Sequence, residues 1–168
     1  MNSILLNRRA LFAVLWLGLA FALIALLAGA GFRFNPTPSL PKGIYRIVSG
    51  APEKDGLVSF CLEGEFAELA LERGYLEPGS CPSGLRPLLK RLAGLPGDFV
   101  APSAFPIRSV DSHGRPMLPA LAPGVVPFGM ALVLADHPGS FDSRYFGFVP
   151  LESLQRVEPV FIFTPKGN

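Results

Sequence analysis

The chain of 168 residues is poor in charge, histidine and cysteine, and each shortage excludes a class of function. Charged residues make up 17% of it, the net charge is +2, and no dense run of lysine or arginine is present, so binding to nucleic acid has little electrostatic support. Two cysteines without suitably spaced histidines fall short of a zinc site. The sequence also has no P-loop, no GxGxxG motif and no HExxH motif. We therefore expect no nucleic-acid partner, no metal and no other cofactor.

Glycine and proline, at 18 residues each, are abundant and favour a loop-rich β domain over a helical one. Segments such as Leu57–Cys61 and Met130–Ala135 are typical of strands. Between the two cysteines, Glu65–Arg73 has apolar residues at helical spacing and is followed by Gly74. The predicted fold is mainly β, with one short helical excursion. Further strands are expected at 46–48, 148–150 and 160–163, and a hairpin at 107–118.

The one long apolar segment is at the N-terminus, where residues 10–32 carry no charge. As a helix this segment spans roughly 35 Å, which is enough to cross a bilayer. The alternative is a cleavable signal peptide, because Ala28-Gly29-Ala30 resembles a cleavage site. Since the segment is too long for an ordinary signal core, we favour an uncleaved transmembrane helix.

The charges beside this segment predict its orientation in the membrane. Arg8 and Arg9 precede it and favour a cytoplasmic N-terminus, although Arg33 on the other side weakens that bias. The predicted organisation is a cytoplasmic N-terminus of residues 1–9, a transmembrane anchor of residues 10–32 and an extracytoplasmic domain of residues 35–168.

Cys61 and Cys81 both lie in this exported domain, 20 positions apart. A pair of cysteines in an oxidising compartment indicates a disulfide. Such a bond would clamp the helical excursion against the strand that precedes it. The alternative is a pair of separate buried thiols.

A stiff segment, Asn35–Tyr45, follows the apolar run and holds one small nucleophile, Ser39. Pro38 and Pro41 restrict the backbone of the residues that precede them. The chain between the apolar run and Ser39 is only a few residues long, so the hydroxyl is expected near the membrane surface. Taken alone, the segment is better explained as a proline-rich stalk than as a catalytic loop. A serine acts as an acyl nucleophile only with a base and an oxyanion hole.

A candidate base, Lys90, lies beside Arg91 in an apolar segment. Since successive residues of a strand face opposite sides, one of these two cations is expected to point inward. A buried lysine loses its proton more readily than an exposed one, and a neutral lysine is a general base. The alternative bases are His113, which falls in the predicted hairpin turn, and His137, which lies in a polar loop.

Three segments stand in order behind the apolar run: Ser39-Leu-Pro-Lys-Gly-Ile-Tyr45, Lys90-Arg-Leu-Ala-Gly-Leu-Pro-Gly-Asp98 and Gly139-Ser-Phe-Asp-Ser-Arg-Tyr-Phe-Gly147. Together they resemble the bacterial signal peptidase I superfamily, and most closely its conjugal-transfer branch of TraF-like peptidases. The resemblance covers most of residues 35–150. It implies a signal-peptidase-like β domain behind one N-terminal transmembrane helix.

The resemblance also implies a role for individual residues. Ser39 is the nucleophile, and Lys90 is the general base within hydrogen-bond reach of it. The oxyanion hole consists of the Ser39 backbone N–H and the Thr37 hydroxyl. The supporting residues implied are Ser140, which orients the lysine, and an ion pair of Asp142 and Arg144.

By the same resemblance, the protein is a serine endopeptidase of the bacterial inner membrane with a periplasmic catalytic domain. Its partners are exported precursors, either pilin-like or bearing a signal peptide. The reaction is either hydrolysis to a linear product or cyclisation of the product. One residue fewer between Ser39 and Pro41 than in housekeeping signal peptidases favours the conjugal-transfer branch. The alternatives are a housekeeping-type signal peptidase and a non-enzymatic, membrane-anchored component of a secretion or mating channel.

Overall fold

The computed structural model describes residues 2–163, so the last part of the predicted domain, 164–168, lies outside the described residues. Contacts divide the chain into one unit that ends at Arg33 and a second unit that begins at Phe34. The first unit is mainly helical, and the second contains nearly all of the strands.

Helix α1, Asn2–Gly29, forms most of the first unit. Its part Arg8–Gly29 is long and apolar enough to cross a membrane, judged by length and composition. The helix ends at Gly29, short of the predicted Phe32, because Gly31 adopts a φ of 85°. Glycine takes up this left-handed conformation without strain and commonly ends helices in it.

The rest of the described chain is built mainly from short strands, which confirms the predicted fold class. The strands are β1 (Phe32–Asn35), β2 (Gly43–Ile47), β3 (Leu57–Phe60), β4 (Leu88–Gly94), β5 (Phe99–Val100), β6 (Gly124–Val125), β7 (Met130–Leu134), β8 (Val149–Pro150) and β9 (Gln155–Ile162). Between them lie helices α2 (Gly64–Glu72) and α3 (Ser143–Phe146) and two short 3-10 helices, Pro102–Ala104 and Leu151–Ser153.

Seven strands form one sheet in the order β1-β2-β9-β3-β4-β7-β8. The neighbouring pairs from β2 to β8 are antiparallel. Strand β9 lies between β2 and β3, so the last strand of the described chain joins the start of the second unit to the centre of the sheet. Strands β5 and β6 form a separate antiparallel pair.

The predicted helical excursion is present as α2, and the predicted disulfide between Cys61 and Cys81 is formed. Helix α2 buries Ala67 and Ala70 in the main hydrophobic core. The disulfide joins the end of β3 to the chain that follows α2, so the excursion is held at both ends. This arrangement matters for the site, because the chain after α2 forms one wall of the cleft described below.

Two predicted elements differ from the structure. The segment 107–118 folds back at the predicted turn with an antiparallel bridge between Val110 and Pro116, but it forms no named strand among the described residues. The Asp111 carboxylate holds the turn by accepting hydrogen bonds from two backbone N–H groups, in addition to the backbone bonds from Asp111 to Arg115 and from Met117 to Ser109. The strand expected at 160–163 is the end of β9, which is longer because it pairs with both β2 and β3.

Candidate active site

Ser39 lies in the loop between β1 and β2, and the contacts of its neighbours fix the backbone of this loop. Leu40 is buried in a small apolar cluster with Tyr45. The carbonyl oxygen of Ser39 accepts a hydrogen bond from the backbone N–H of Asp136 at 2.9 Å. The Tyr45 hydroxyl donates to the carbonyl of Pro41. These contacts hold Ser39 half-buried, at the edge of a cleft.

Asn35 organises the same loop, and sequence reasoning missed it. Its side chain is 4% exposed. The Nδ2 group donates to the carbonyls of Thr37 at 3.2 Å, Leu40 at 3.2 Å and Pro41 at 3.3 Å. The Oδ1 atom accepts from the Thr37 backbone N–H at 3.3 Å and from the Thr37 hydroxyl at 2.8 Å. The sequence did carry a signal, since asparagine followed by proline initiates turns in which the amide bonds the backbone two residues on.

The two groups expected to form the oxyanion hole lie beside the serine hydroxyl. Thr37 Oγ1 and Ser39 Oγ are 2.7 Å apart. The Ser39 backbone N–H makes no hydrogen bond to any residue that the structure describes. Both groups are therefore available as donors beside the Ser39 hydroxyl, and their role as an oxyanion hole stays a prediction.

Strand β4 carries Lys90 in register with Val58 of β3 and leaves its side chain 4% exposed. The neighbouring Arg91 is half-buried and forms an ion pair with Asp136 at 3.2 Å. Its Nη1 also donates to the carbonyl of Asp55 at 2.9 Å. The prediction that one of the two adjacent cations points inward is confirmed, and the inward one is Lys90.

The environment of Lys90 suits a general base. Burial lowers the pKa of Lys90 from 10.5 to about 8, while the Asp142 carboxylate raises it and the Arg144 guanidinium lowers it. A neutral amine is therefore present in quantity at mildly alkaline pH. General-base catalysis is most effective when the pKa lies near the working pH.

One cleft, with a volume of about 370 Å³, brings the candidate groups together. Its lining includes Thr37, Ser39, Lys90 and Ser140. The direct hydrogen bond expected between Ser39 Oγ and Lys90 Nζ is not present among the described residues, and Ser39 Oγ contacts the Thr37 hydroxyl instead. The roles of Ser39 and Lys90 in catalysis thus stay a prediction, which the shared cleft makes chemically reasonable.

The expected ion pair of Asp142 and Arg144 is formed in the interior. Asp142 Oδ2 and Arg144 Nη2 are 2.6 Å apart, and the side chains are 0% and 3% exposed. Arg144 also donates to the carbonyls of His137 and Pro138. The pair therefore holds the loop between β7 and α3, on which Ser140 lies.

Ser140, His113 and His137 line the cleft, but their contacts show no partnership with Lys90. The backbone N–H of Ser140 donates to the carbonyl of His137 at 3.1 Å, and His137 Nδ1 accepts from the backbone N–H of Gly139 at 3.1 Å. Within the described part of the chain, no hydrogen bond joins any of the three side chains to Lys90. The role of Ser140 in orienting the lysine stays a prediction.

The sequence analysis also did not predict a polar cluster of Tyr75, Asp111 and Arg115 at the rim of the cleft. Asp111 Oδ2 accepts from the Tyr75 hydroxyl and from Arg115 Nε, both at 2.7 Å. Arg115 in turn donates to the carbonyl of Arg73 at 2.9 Å. Burial alone raises the pKa of Asp111, but the hydrogen bonds from Tyr75 and Arg115 outweigh it and hold that pKa well below its usual range. The cluster ties the chain after α2 to the turn closed by Asp111, which are two walls of the cleft.

Comparison with known proteins shows the family of the chain. A family model described as "Signal peptidase, peptidase S26" matches residues 6–161. The chain is 39% identical over 180 aligned residues to the conjugal transfer protein TraF of Agrobacterium tumefaciens, which covers 95% of this chain and 99% of the relative. It is 39% identical over 150 residues to the conjugal transfer protein TraF of Agrobacterium fabrum, covering 80% and 85%. It is 36% identical over 143 residues to a plasmid transfer protein TraF of Escherichia coli, covering 73% and 80%. The chain therefore belongs to the signal peptidase I superfamily, as a TraF-like member of the serine peptidase family S26.

Proposed function

We propose that this protein is a membrane-anchored endopeptidase that cleaves exported precursors of a conjugal-transfer system, with Ser39 as nucleophile and Lys90 as base. One observation supports this most strongly: a buried lysine with a pKa of about 8 lines the same cleft as the serine. Membership of the family and the TraF relatives support a signal-peptidase-like role in conjugal transfer. Pilin-like precursors are the proposed substrate.

The first half of the proposed reaction forms an ester on Ser39. The scissile peptide carbonyl lies against Ser39, and neutral Lys90 takes the hydroxyl proton as Oγ bonds to the carbonyl carbon. The Thr37 hydroxyl and the Ser39 N–H donate to the oxyanion. The C–N bond then breaks, the Lys90 ammonium gives its proton to the leaving amine, and the acyl group stays on Oγ.

The second half releases the acyl group. A water molecule gives a proton to Lys90 and bonds to the ester carbon, and the proton returns to Ser39 Oγ as the C–O bond breaks. The product is then a linear chain with a new carboxyl end. If an amine of the substrate attacks instead, the same proton transfers yield an amide, and the product is a circle.

We further propose that α1 anchors the protein in the bacterial inner membrane as a single span with its N-terminus in the cytoplasm. The β unit then lies in the periplasm, with the anchor at residues 10–32 and the catalytic domain at residues 35–168. The disulfide between Cys61 and Cys81 supports this location, because such bonds persist in the periplasm and are rare in the bacterial cytosol.

The proposal is tested by incubating the full-length protein in detergent micelles with the pilin precursor of its own transfer system. The products are weighed by mass spectrometry, and Ser39→Ala serves as the matched inactive variant. We expect a processed pilin with the wild-type protein and none with Ser39→Ala. A circular product is lighter than the linear one by one water molecule. Cleavage by Ser39→Ala contradicts the proposed nucleophile, and an intact precursor after incubation with the wild type contradicts the proposed function. A precursor with a general signal peptide, cleaved as fast as the pilin, identifies the housekeeping alternative.

A further inference from the structure

We infer that Asn35 is a positioning residue that sets the orientation of the Thr37 hydroxyl, and through it the direction of the Ser39 proton in the resting enzyme. The inference rests on the proposed function and adds to it a residue outside the serine, the lysine and the oxyanion donors. The supporting observations are the hydrogen bonds of the buried Asn35 amide and the single proton that each hydroxyl can donate.

The orientation of the Asn35 amide follows from its surroundings. Oδ1 faces the Thr37 backbone N–H, and Nδ2 faces the carbonyls of Thr37, Leu40 and Pro41. The flipped amide would set two donors against an N–H and an acceptor against three carbonyl oxygens. Only the observed orientation satisfies the groups around it, so the atom next to the Thr37 hydroxyl is the amide oxygen.

The direction of the hydroxyl protons follows from this orientation. An amide oxygen has no proton to give, so at 2.8 Å the Thr37 hydroxyl donates to Asn35 Oδ1. A hydroxyl has one proton, so across the 2.7 Å contact Ser39 must donate and Thr37 must accept. The resting structure therefore contains a chain of donors that runs from Ser39 through Thr37 to Asn35. While its proton points along this chain, Ser39 does not donate to Lys90.

The reaction requires both protons to turn away from this chain. Thr37 donates to the oxyanion only after its proton leaves Asn35 Oδ1, and Ser39 gives its proton to Lys90 only after it leaves Thr37. Each change needs no more than rotation about a C–O bond. Asn35 Oδ1 also accepts a hydrogen bond from the Thr37 backbone N–H at 3.3 Å. The amide oxygen therefore still has a donor when the Thr37 hydroxyl turns away. Asn35 thus keeps Thr37 in place while allowing its hydroxyl to turn.

The test is a cycle of variants at the two positions, with kcat and KM measured on a peptide that spans the mapped cleavage site. Thr37→Val keeps the shape of the side chain and removes the hydroxyl, and we expect it to lower kcat about 100-fold, as for the loss of an oxyanion donor. Asn35→Ala is expected to lower kcat at least about tenfold with little change in KM. Because Asn35 acts through the Thr37 hydroxyl, the double variant is expected to fall no more than about threefold below Thr37→Val.

Thr37→Ser is the matched control, because it restores a hydroxyl. In that background Asn35→Ala is expected to cost as much in kcat as it does in the wild type. If the decreases in kcat caused by Asn35→Ala and by Thr37→Val multiply in the double variant, Asn35 supports the loop without acting through the hydroxyl. The inference is then wrong. An Asn35→Ala enzyme with unchanged kcat contradicts it as well.

A second variant covers the case in which Asn35→Ala fails to fold. Asn35→Asp keeps the shape of the side chain and an acceptor for the Thr37 hydroxyl, but it replaces the Nδ2 donor with an oxygen that faces three carbonyls. We expect it to lower kcat in the wild-type background and by no more than about threefold in the Thr37→Val background, and equal losses in the two backgrounds contradict the inference.

Thermal unfolding midpoints of the same variants, measured without substrate, report the hydrogen bonds independently of catalysis. Less than additive shifts for Asn35→Ala and Thr37→Val are expected, and additive shifts contradict the inference. A wild type that shows such coupled midpoints but cleaves nothing overturns the proposed function. If the wild type cleaves the substrate but the decreases in kcat of Asn35→Ala and Thr37→Val multiply, only the role of Asn35 is overturned.

Discussion

Asp142 and Arg144 form an ion pair 2.6 Å long between side chains that are almost completely buried. Taking two charges out of water is costly, and removal of one partner leaves the other without compensation. The same two groups act on the pKa of Lys90 in opposite directions, since the carboxylate raises it and the guanidinium lowers it. The pair therefore links the stability of the fold to the protonation of the candidate base.

Asp142→Asn is expected to lower the free energy of unfolding by about 3–5 kcal/mol, because the Arg144 charge stays buried. The loss of the carboxylate also removes a group that favours the Lys90 ammonium, so the pKa of Lys90 falls further. In the folded variant, the acidic limb of the pH profile of kcat/KM therefore moves to lower pH. Urea denaturation and the pH profile check the two effects separately.

The matched control for this variant is Glu158→Gln. Glu158 pairs with Arg156 at 2.8 Å, and their side chains are 54% and 34% exposed to solvent. Because exposed pairs contribute at most about 1 kcal/mol, the loss of stability should be small. Equal losses in the two variants contradict the assignment of the Asp142 effect to burial.

The pH dependence of activity follows from the pKa of Lys90, which is about 8. Only the neutral amine accepts the Ser39 proton, so kcat/KM is expected to rise with pH through this value and then to level off. The profile of kcat/KM reports the free enzyme, which is the state that the structure describes. A profile that is flat between pH 6 and about 9 contradicts a neutral lysine as the base.

Lys90 is expected to destabilise the fold while it serves the reaction. Its pKa falls from 10.5 in the unfolded chain to about 8 in the folded one, so the unfolded state binds more protons between these values, and stability rises with pH across that window. Below the folded pKa the buried ammonium costs up to about 3 kcal/mol. Lys90→Met should therefore be more stable than the wild type at neutral pH, and the difference should shrink from pH 8 upward. A methionine variant that unfolds more readily at neutral pH contradicts this reasoning.

The disulfide is expected to contribute to stability through the loop it closes. Cys61 and Cys81 are 20 positions apart. Closing a loop of that size lowers the entropy of the unfolded chain and raises the free energy of unfolding by about 3 kcal/mol. Replacement of both cysteines by serine should lower the free energy of unfolding by about this amount. Urea denaturation of the oxidised wild type, the reduced wild type and the double variant checks this. Identical curves for the oxidised and reduced wild type would rule out such a contribution.

The features that the sequence predicts correctly are those set by local periodicity and spacing. Alternation along β4 places Lys90 inward and Arg91 outward. Helical spacing of apolar residues predicts α2, and the cysteine pair flanking it predicts the disulfide. Each of these depends on residues that are neighbours along the chain or on the chemistry of an exported domain.

The features that the sequence does not predict depend on how distant segments meet. The hydrogen bonds of Asn35 form only when the loop after β1 folds back on itself. The contact between Tyr75 and Asp111 joins residues 36 positions apart. The hairpin expected at 107–118 keeps its turn, but its pairing is limited to one bridge, between Val110 and Pro116. The Asn35-Pro36 pair signals a turn, but no local pattern shows which distant groups such a turn brings together.

The most direct test of the account is the rate at which Lys90→Met processes the precursor, since this variant removes the base and keeps an apolar side chain of similar length. Lys54→Met is the matched control, because Lys54 is an exposed lysine that pairs with Asp98 on the surface. We expect Lys90→Met to lose at least about 1,000-fold in kcat/KM while it stays folded, and Lys54→Met to retain wild-type activity. Full activity in folded Lys90→Met contradicts the central claim that Lys90 activates Ser39.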